Sequence, residues 1–112
     1  SLPRRMNNSS LEVLLVKKAN ANYELTNKGS KYTKAKIFGN GWTIVRNRLT
    51  GVPVYKWIEV YFLEKKKNGT CYVQTFPVTQ QYDGKKYINT QISLGTVFPL
   101  KAKYNGFIDC NE

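Results

Sequence analysis

After Asn27-Lys28-Gly29 the chain alternates apolar and polar residues almost to its end, and turn-forming residues recur at short intervals. Alternation sends successive side chains to opposite faces of a strand, so this pattern predicts a meander of antiparallel hairpins. The strands fall at KYTKAKIF, GWTIVRNR, VPVYKWIEVYFLEK, GTCYVQTFPV, KKYINTQISL, TVFPLKAKY and GFIDC, with Leu49-Thr50-Gly51 turning into the third. Asn68-Gly69, Asp83-Gly84 and Asn105-Gly106 have the composition of two-residue primed turns, whose central positions need positive φ. The segment before Asn27 has another period. Ser9 and Glu12 form an S-x-x-E capping box ahead of Leu11, Leu14, Leu15 and Lys18, which predicts a helix from about Ser10 to Asn20. The same stretch, LEVLLV, carries enough β-branched residues to serve as an edge strand instead. Residues 1–8, SLPRRMNN, follow neither period and read as a flexible basic arm before a single domain over 9–112. The resulting fold class is α+β: one twisted antiparallel sheet with an N-terminal helix on its aliphatic face.

Turn length fixes register, and register fixes which side chains share a face. With two-residue turns at Asn68-Gly69 and Asp83-Gly84, Tyr61 stands opposite Phe76 and Val73 opposite Leu94. One face then collects Val60, Phe62, Cys71, Val73, Ile88, Ile92 and Leu94, a set with the character of a core. The other collects Tyr55, Trp57, Glu59, Tyr61, Tyr72, Gln74, Phe76, Tyr87, Asn89 and Gln91. Left open, that second face is a binding surface; covered by another layer, it is structural.

A chain of 112 residues is one domain, and a 41% hydrophobic share with 13% aromatics supplies its core and excludes a disordered class. Eighteen Lys and Arg against seven Asp and Glu leave +11, a field that favours anionic partners. Placed beside the aromatic face formed by Tyr55, Trp57, Tyr61, Tyr72 and Phe76, the cations Lys34, Lys36, Arg46, Arg48, Lys65, Lys66 and Lys67 would track phosphates while rings stack on bases. The leading expectation is therefore a non-enzymatic protein, effector-like or adhesive, that binds an anionic polymer, nucleic acid foremost or an acidic polysaccharide. The alternative is a protein-recognition module in which the aromatic face is a hot-spot patch and the charge steers association.

The absence of His excludes Ser-His-Asp and Cys-His dyads and His-based ribonuclease chemistry. A minimal ribonuclease-like enzyme would have to use Glu59 as base with Arg46 or Arg48 as electrophile; a Glu59 paired with Lys56 or Lys85 is the structural alternative. Without a Gly-rich phosphate loop, a paired-carboxylate motif or a Cys/His cluster, neither cofactor nor metal is expected. Cys71 and Cys110, 39 residues apart, are read as one bridge worth roughly 3 to 4 kcal/mol, which implies an oxidising compartment and a secreted or extracellular protein. The sequons at Asn7, Asn8 and Asn68 are compatible with that route. No apolar run reaches the length of a membrane span.

Gly41-Trp42-Thr43-Ile44-Val45 with Arg48, Gly51, Trp57 and Glu59 resembles the GWT-V-x-x-R segment of fibrinogen-like domains. The likeness is confined to residues 41–59, and the calcium-site aspartates and downstream cysteine pair of that family have no counterpart, so its function is not carried over.

Overall fold

The computed structural model describes residues 6–26, 29–95, 98–100 and 105–111. Most of the arm expected at 1–8, and part of the strand expected at TVFPLKAKY, lie outside the described residues. The elements are α1 (Ser9–Ala21), α2 (Tyr23–Thr26), β1 (Lys31–Arg46), β2 (Pro53–Lys65), β3 (Cys71–Tyr82), β4 (Tyr87–Ile92) and β5 (Gly106–Ile108). The strands form one antiparallel sheet in the order β1-β2-β3-β4, and β5 pairs with β3 at the end that β4 leaves free. The sheet curls into a half-barrel carrying a single long helix, the α+β architecture its pattern predicts.

The helix starts one residue earlier than the capping box suggests. Asn8 is the N-cap, its Oδ1 accepting from the Leu11 N–H at 3.1 Å. Glu12 is thereby released from a capping role. It sits on the buried face with Leu11, Leu15 and Ala19, and its Oε2 accepts from the Ile37 N–H at 3.2 Å. Leu14, expected on the buried face, is exposed together with Val13, because the apolar run LEVLLV is wider than the stripe one sheet face can cover. At the other end Asn22, with extended backbone, stops α1 and caps α2 by accepting from the Leu25 N–H at 3.3 Å.

The two strands expected at KYTKAKIF and GWTIVRNR are one strand, β1, interrupted by register shifts between Tyr32 and Lys34 and between Phe38 and Thr43. Such irregularities raise local twist, which suits a sheet that curls. β1 is one edge strand of the sheet, and α1 occupies part of its outer edge. The Asn20 amide donates from Nδ2 to the Tyr32 carbonyl and accepts at Oδ1 from the Tyr32 N–H, both at 2.8 Å, so it acts as a short stretch of neighbouring strand.

The β2–β3 register differs by one residue from the expected one. Lys65 pairs with Cys71, Leu63 with Val73, Tyr61 with Thr75 and Val60 with Phe76. The connection is a three-residue loop, closed by the Lys66 N–H on the Thr70 carbonyl at 2.8 Å and the Gly69 N–H on the Lys66 carbonyl at 2.9 Å. Gly69 holds φ +88, as the last position of a type I turn with a bulge requires. A slip of one residue exchanges the faces of β3. Phe76 therefore joins Phe62, whereas Cys71 and Val73 move to the side of Tyr61 and Leu63. The β3–β4 turn also differs: Asp83 and Lys86 form its closing pair, and Asn89, at φ +57, lies in a further register shift. Asn105-Gly106 is no hairpin turn. Gly106 opens β5, and Asn105 Oδ1 accepts from the Thr75 N–H at 3.1 Å.

Two cores result, one on each side of the sheet. On the helix side Leu11, Leu15 and Ala19 pack on Tyr32, Ala35, Ile37, Ile58, Val60, Phe62 and Val78. On the opposite side Tyr61, Leu63, Cys71 and Val73 pack with Phe38 and Ile108. The expected bridge is present: Cys71 and Cys110, with Cα atoms 5.2 Å apart, tie the short β5 to β3.

Candidate functional site

The β1–β2 register assembles a row of cations that no single strand shows. Lys31 stands directly opposite Lys65, Lys34 opposite Leu63 and Lys36 opposite Tyr61. The shift at Thr33 keeps Tyr32 and Ala35 on the helix side and turns Lys31, Lys34, Lys36 and Lys65 to the other. The β2 residues sharing this row are Lys65, Leu63 and Tyr61, so these ladder positions hold four cations and no carboxylate. Like charges placed opposite each other in a ladder are unfavourable, and an anion laid across them relieves that repulsion. Lys31, Lys34 and Lys65 are exposed and Lys36 is half-buried. Lys67, exposed on the β2–β3 loop, lies with its side chain beside Gly29 and borders the helix-side cavity instead.

Lys66 does not join this row. It turns to the helix side, where its Nζ lies 3.6 Å from Glu64 Oε1 and 5.3 Å from the Tyr72 ring centre. There a cavity of about 440 Å³ is bounded by Glu24, Tyr32, Glu64, Lys66, Lys67 and Gln74. Tyr32 Oη donates to Gln74 Oε1 at 3.4 Å, and Gln74 Nε2 donates to Glu64 Oε1 at 3.5 Å. Burial, reinforced by the Glu64 charge, pushes the Tyr32 phenol up to about 12, so this hydroxyl is a hydrogen-bond donor and no base at neutral pH.

The aromatic residues expected to form a stacking platform are divided by the observed register. Trp57, 9% exposed, packs on Phe98 with ring centres 5.0 Å apart, and Tyr61, 3% exposed, meets Phe38 edge-on at 6.0 Å. Tyr55 is half-buried on that same face. Tyr72 and Phe76 belong to the other face, where Phe76 packs on Phe62 and Tyr72 meets Phe107 edge-on. What the structure brings together is the lysine row, without the rings.

Arg46 and Arg48 lie at the opposite end of the sheet from Lys65–Lys67. Arg46 pairs with Pro53, and its Nη1 donates to the Gly51 carbonyl at 3.0 Å. Glu59 is buried on the Trp57 and Tyr61 face, six residues along β2 from Pro53, which at about 3.3 Å per residue separates it from Arg46 by roughly 20 Å. The base and electrophile of a ribonuclease-like site are thus not brought together. Lys56, one of the two cations expected as partners of Glu59, is on the helix side, its Nζ 4.4 Å from the Trp42 ring centre and 4.3 Å from that of Tyr87. Burial holds its pKa below the ordinary lysine value. Among the described residues no group of three His, Cys, Asp or Glu could hold a metal.

Lys31, which clusters with Lys34 and Lys36 along the sequence, shares their face only through the shift at Thr33, and a run of alternating Tyr, Lys and Thr gives no sign of where a bulge falls. Comparison with family models, curated proteins and solved structures finds no match to the chain.

Proposed function

We propose that this protein binds an anionic polymer, single-stranded nucleic acid foremost, along the row formed by Lys31, Lys34, Lys36 and Lys65. The observation that carries the reading is the register pairing of Lys31 with Lys65 on the face that also receives Lys34 and Lys36. Since Trp57 and Tyr61 are buried, recognition rests on phosphate contacts and not on base stacking, so little sequence preference is expected. Secretion fits the Cys71–Cys110 bridge and belongs to the same proposal.

The test is fluorescence polarisation of a single-stranded RNA over a salt series. A variant with Lys34, Lys36 and Lys65 changed to Gln is compared with one in which Lys17, Lys18 and Lys85 are changed to Gln. Both remove three charges, so net attraction is matched. The row variant should lose affinity and lower the logarithmic salt slope by about 0.7 for each phosphate contact removed. Equal losses in the two variants would reduce the interaction to net charge and overturn the assignment. A sulfated polysaccharide competitor tells whether phosphate or polyanion character is what is read.

A further inference from the structure

The β1–β2 hairpin ends in a tip whose composition is opposite to what solvent favours. Leu49 at its apex is 96% exposed, and Val52 and Val54 on the returning strand are 50% and 48% exposed, with Ile44 also exposed on the outgoing one. Loop tips are ordinarily polar, so a fully exposed Leu flanked by exposed Val marks a surface made for contact.

The tip is closed by its own hydrogen bonds. Asn47 donates its N–H to the Val52 carbonyl at 2.8 Å, and its own carbonyl accepts from the Gly51 N–H at 2.9 Å. Its Oδ1 accepts from the Leu49 and Thr50 N–H groups at 2.9 and 3.1 Å, and Thr50 Oγ1 accepts from the Val52 N–H at 3.2 Å. Five backbone donors around the apex are therefore partnered without water. This is what a segment needs in order to leave water for an apolar medium without stranding N–H groups, and a preformed tip has little ordering entropy to lose.

Charge selects the medium. No Asp or Glu occurs between Glu24 and Glu59, so the whole tip is free of acid, while Arg46 and Arg48 stand at its base. The pairing of Tyr55 with Gln81 brings the β3–β4 turn to the same end, adding the exposed Lys85 and Lys86. The one acid there, Asp83, is engaged by the backbone N–H groups of Lys85 and Lys86, each at 2.9 Å. An apolar apex above a collar of cations is complementary to an anionic bilayer, whose headgroups meet the cations while the acyl boundary receives the side chain.

We propose that the β1–β2 tip docks this protein on an anionic membrane surface, with Leu49 entering the interface and Arg48, Lys85 and Lys86 contacting headgroups. Among the described residues no helix is long and apolar enough to cross a membrane, so the tip would hold the protein at the surface. The lysine row occupies the Tyr61 to Lys65 end of β2, roughly 26 to 40 Å from Pro53 at about 3.3 Å per residue, three or more Debye lengths at physiological salt.

The experiment is sedimentation of the full chain with phosphatidylcholine vesicles made with and without phosphatidylserine. Partitioning should require phosphatidylserine. Leu49→Ser should weaken it by at least about tenfold. Changing Arg48, Lys85 and Lys86 to Gln should weaken it about fivefold per cation, or about a hundredfold together. The triple Gln variant of the lysine row should change it by no more than about twofold, given the screening distance. Emission from Leu49→Trp should shift to the blue on binding and be quenched by brominated acyl chains. These positions are exposed, so folding is preserved and is checked by circular dichroism. Binding that ignores Leu49→Ser would be simple adsorption and would overturn the proposal. Absence of binding would overturn it too, and would leave the tip to an apolar groove on a protein partner.

Discussion

Asn20 holds the edge of the sheet, and removing its amide gives the sharpest test of how this fold is kept. In Asn20→Ala both hydrogen bonds to Tyr32 vanish, leaving the N–H and carbonyl of a residue that is 1% exposed to find other partners. Each buried backbone group left unsatisfied costs about 1 to 3 kcal/mol, and the better helix propensity of Ala returns about 0.5 kcal/mol. The net loss is about 1.5 to 5.5 kcal/mol, and with an m-value of about 1.5 kcal/mol per M the urea midpoint should fall by roughly 1 to 4 M. Asn20→Asp refines the test. Aspartate still accepts from the Tyr32 N–H but sets an oxygen against the Tyr32 carbonyl, so it should be destabilised as much as the Ala variant. An unpaired stretch of edge strand also templates association, and sedimentation velocity should show concentration-dependent self-association of the Ala variant. A loss below about 1 kcal/mol in Asn20→Ala, or a well-tolerated Asp, would refute the view that this amide substitutes for a neighbouring strand.

Two more outcomes follow from the bridge and from Tyr32. β5 has three residues, so its pairing with β3 depends on the Cys71–Cys110 tether; Cys110→Ser should lower stability by roughly 3 to 4 kcal/mol, and amide exchange at Cys71–Val73 should accelerate. Unchanged protection of those amides would show that the pairing stands without the tether. Because burial raises the Tyr32 phenol to about 12, the folded state keeps a proton that the unfolded chain releases near pH 10. The associated stability is fully present below about pH 10 and is lost as pH rises towards about 12. Urea melts across that window should show a smaller alkaline loss in Tyr32→Phe than in the wild type, and parallel losses would contradict the assignment.

Much of the architecture is legible in the chain, because alternation from Lys31 onward and a helical stripe before Asn22 are local signals. The bridge was legible as well, since two cysteines admit one intramolecular pairing. The candidate site was legible only in part. Lys34, Lys36 and Lys65 are plain as cations, but their union with Lys31 needs a bulge at Thr33, and bulges are set by tertiary curvature more than by residue type. The roles of Glu12 and Asn20 were hidden for a related reason: each acts on a strand 25 and 12 residues away, at an edge whose position depends on the assembled sheet. Trp57 and Tyr61 have the composition of a binding face, yet composition says nothing about whether Phe98, Phe38 and Ile108 cover them.

The faces themselves turned on one glycine. Asn68-Gly69 suits a two-residue primed turn, in which both residues need positive φ, and it equally suits a three-residue loop in which only the glycine does. The observed loop is the second kind: Gly69 is at φ +88, and the only described non-glycine residue with positive φ is Asn89. The two geometries predict different responses to alanine. In the primed turn Asn68→Ala would force alanine into the left-handed region and cost roughly 1 to 2 kcal/mol. In the observed loop it removes only the exposed contacts of Asn68 Oδ1 with the Thr70 N–H and hydroxyl, worth about 0.5 kcal/mol. Gly69→Ala carries the left-handed penalty of roughly 1 to 2 kcal/mol, although space around the position is open. Urea melts of the two variants decide between the geometries. A large loss at Gly69 with a small one at Asn68 keeps Cys71 and Val73 on the Tyr61 side and Phe76 on the helix side. Comparable losses at both would return the register to the primed turn and rejoin Tyr72 and Phe76 with Trp57 on one face, and the case for base stacking would have to be reopened.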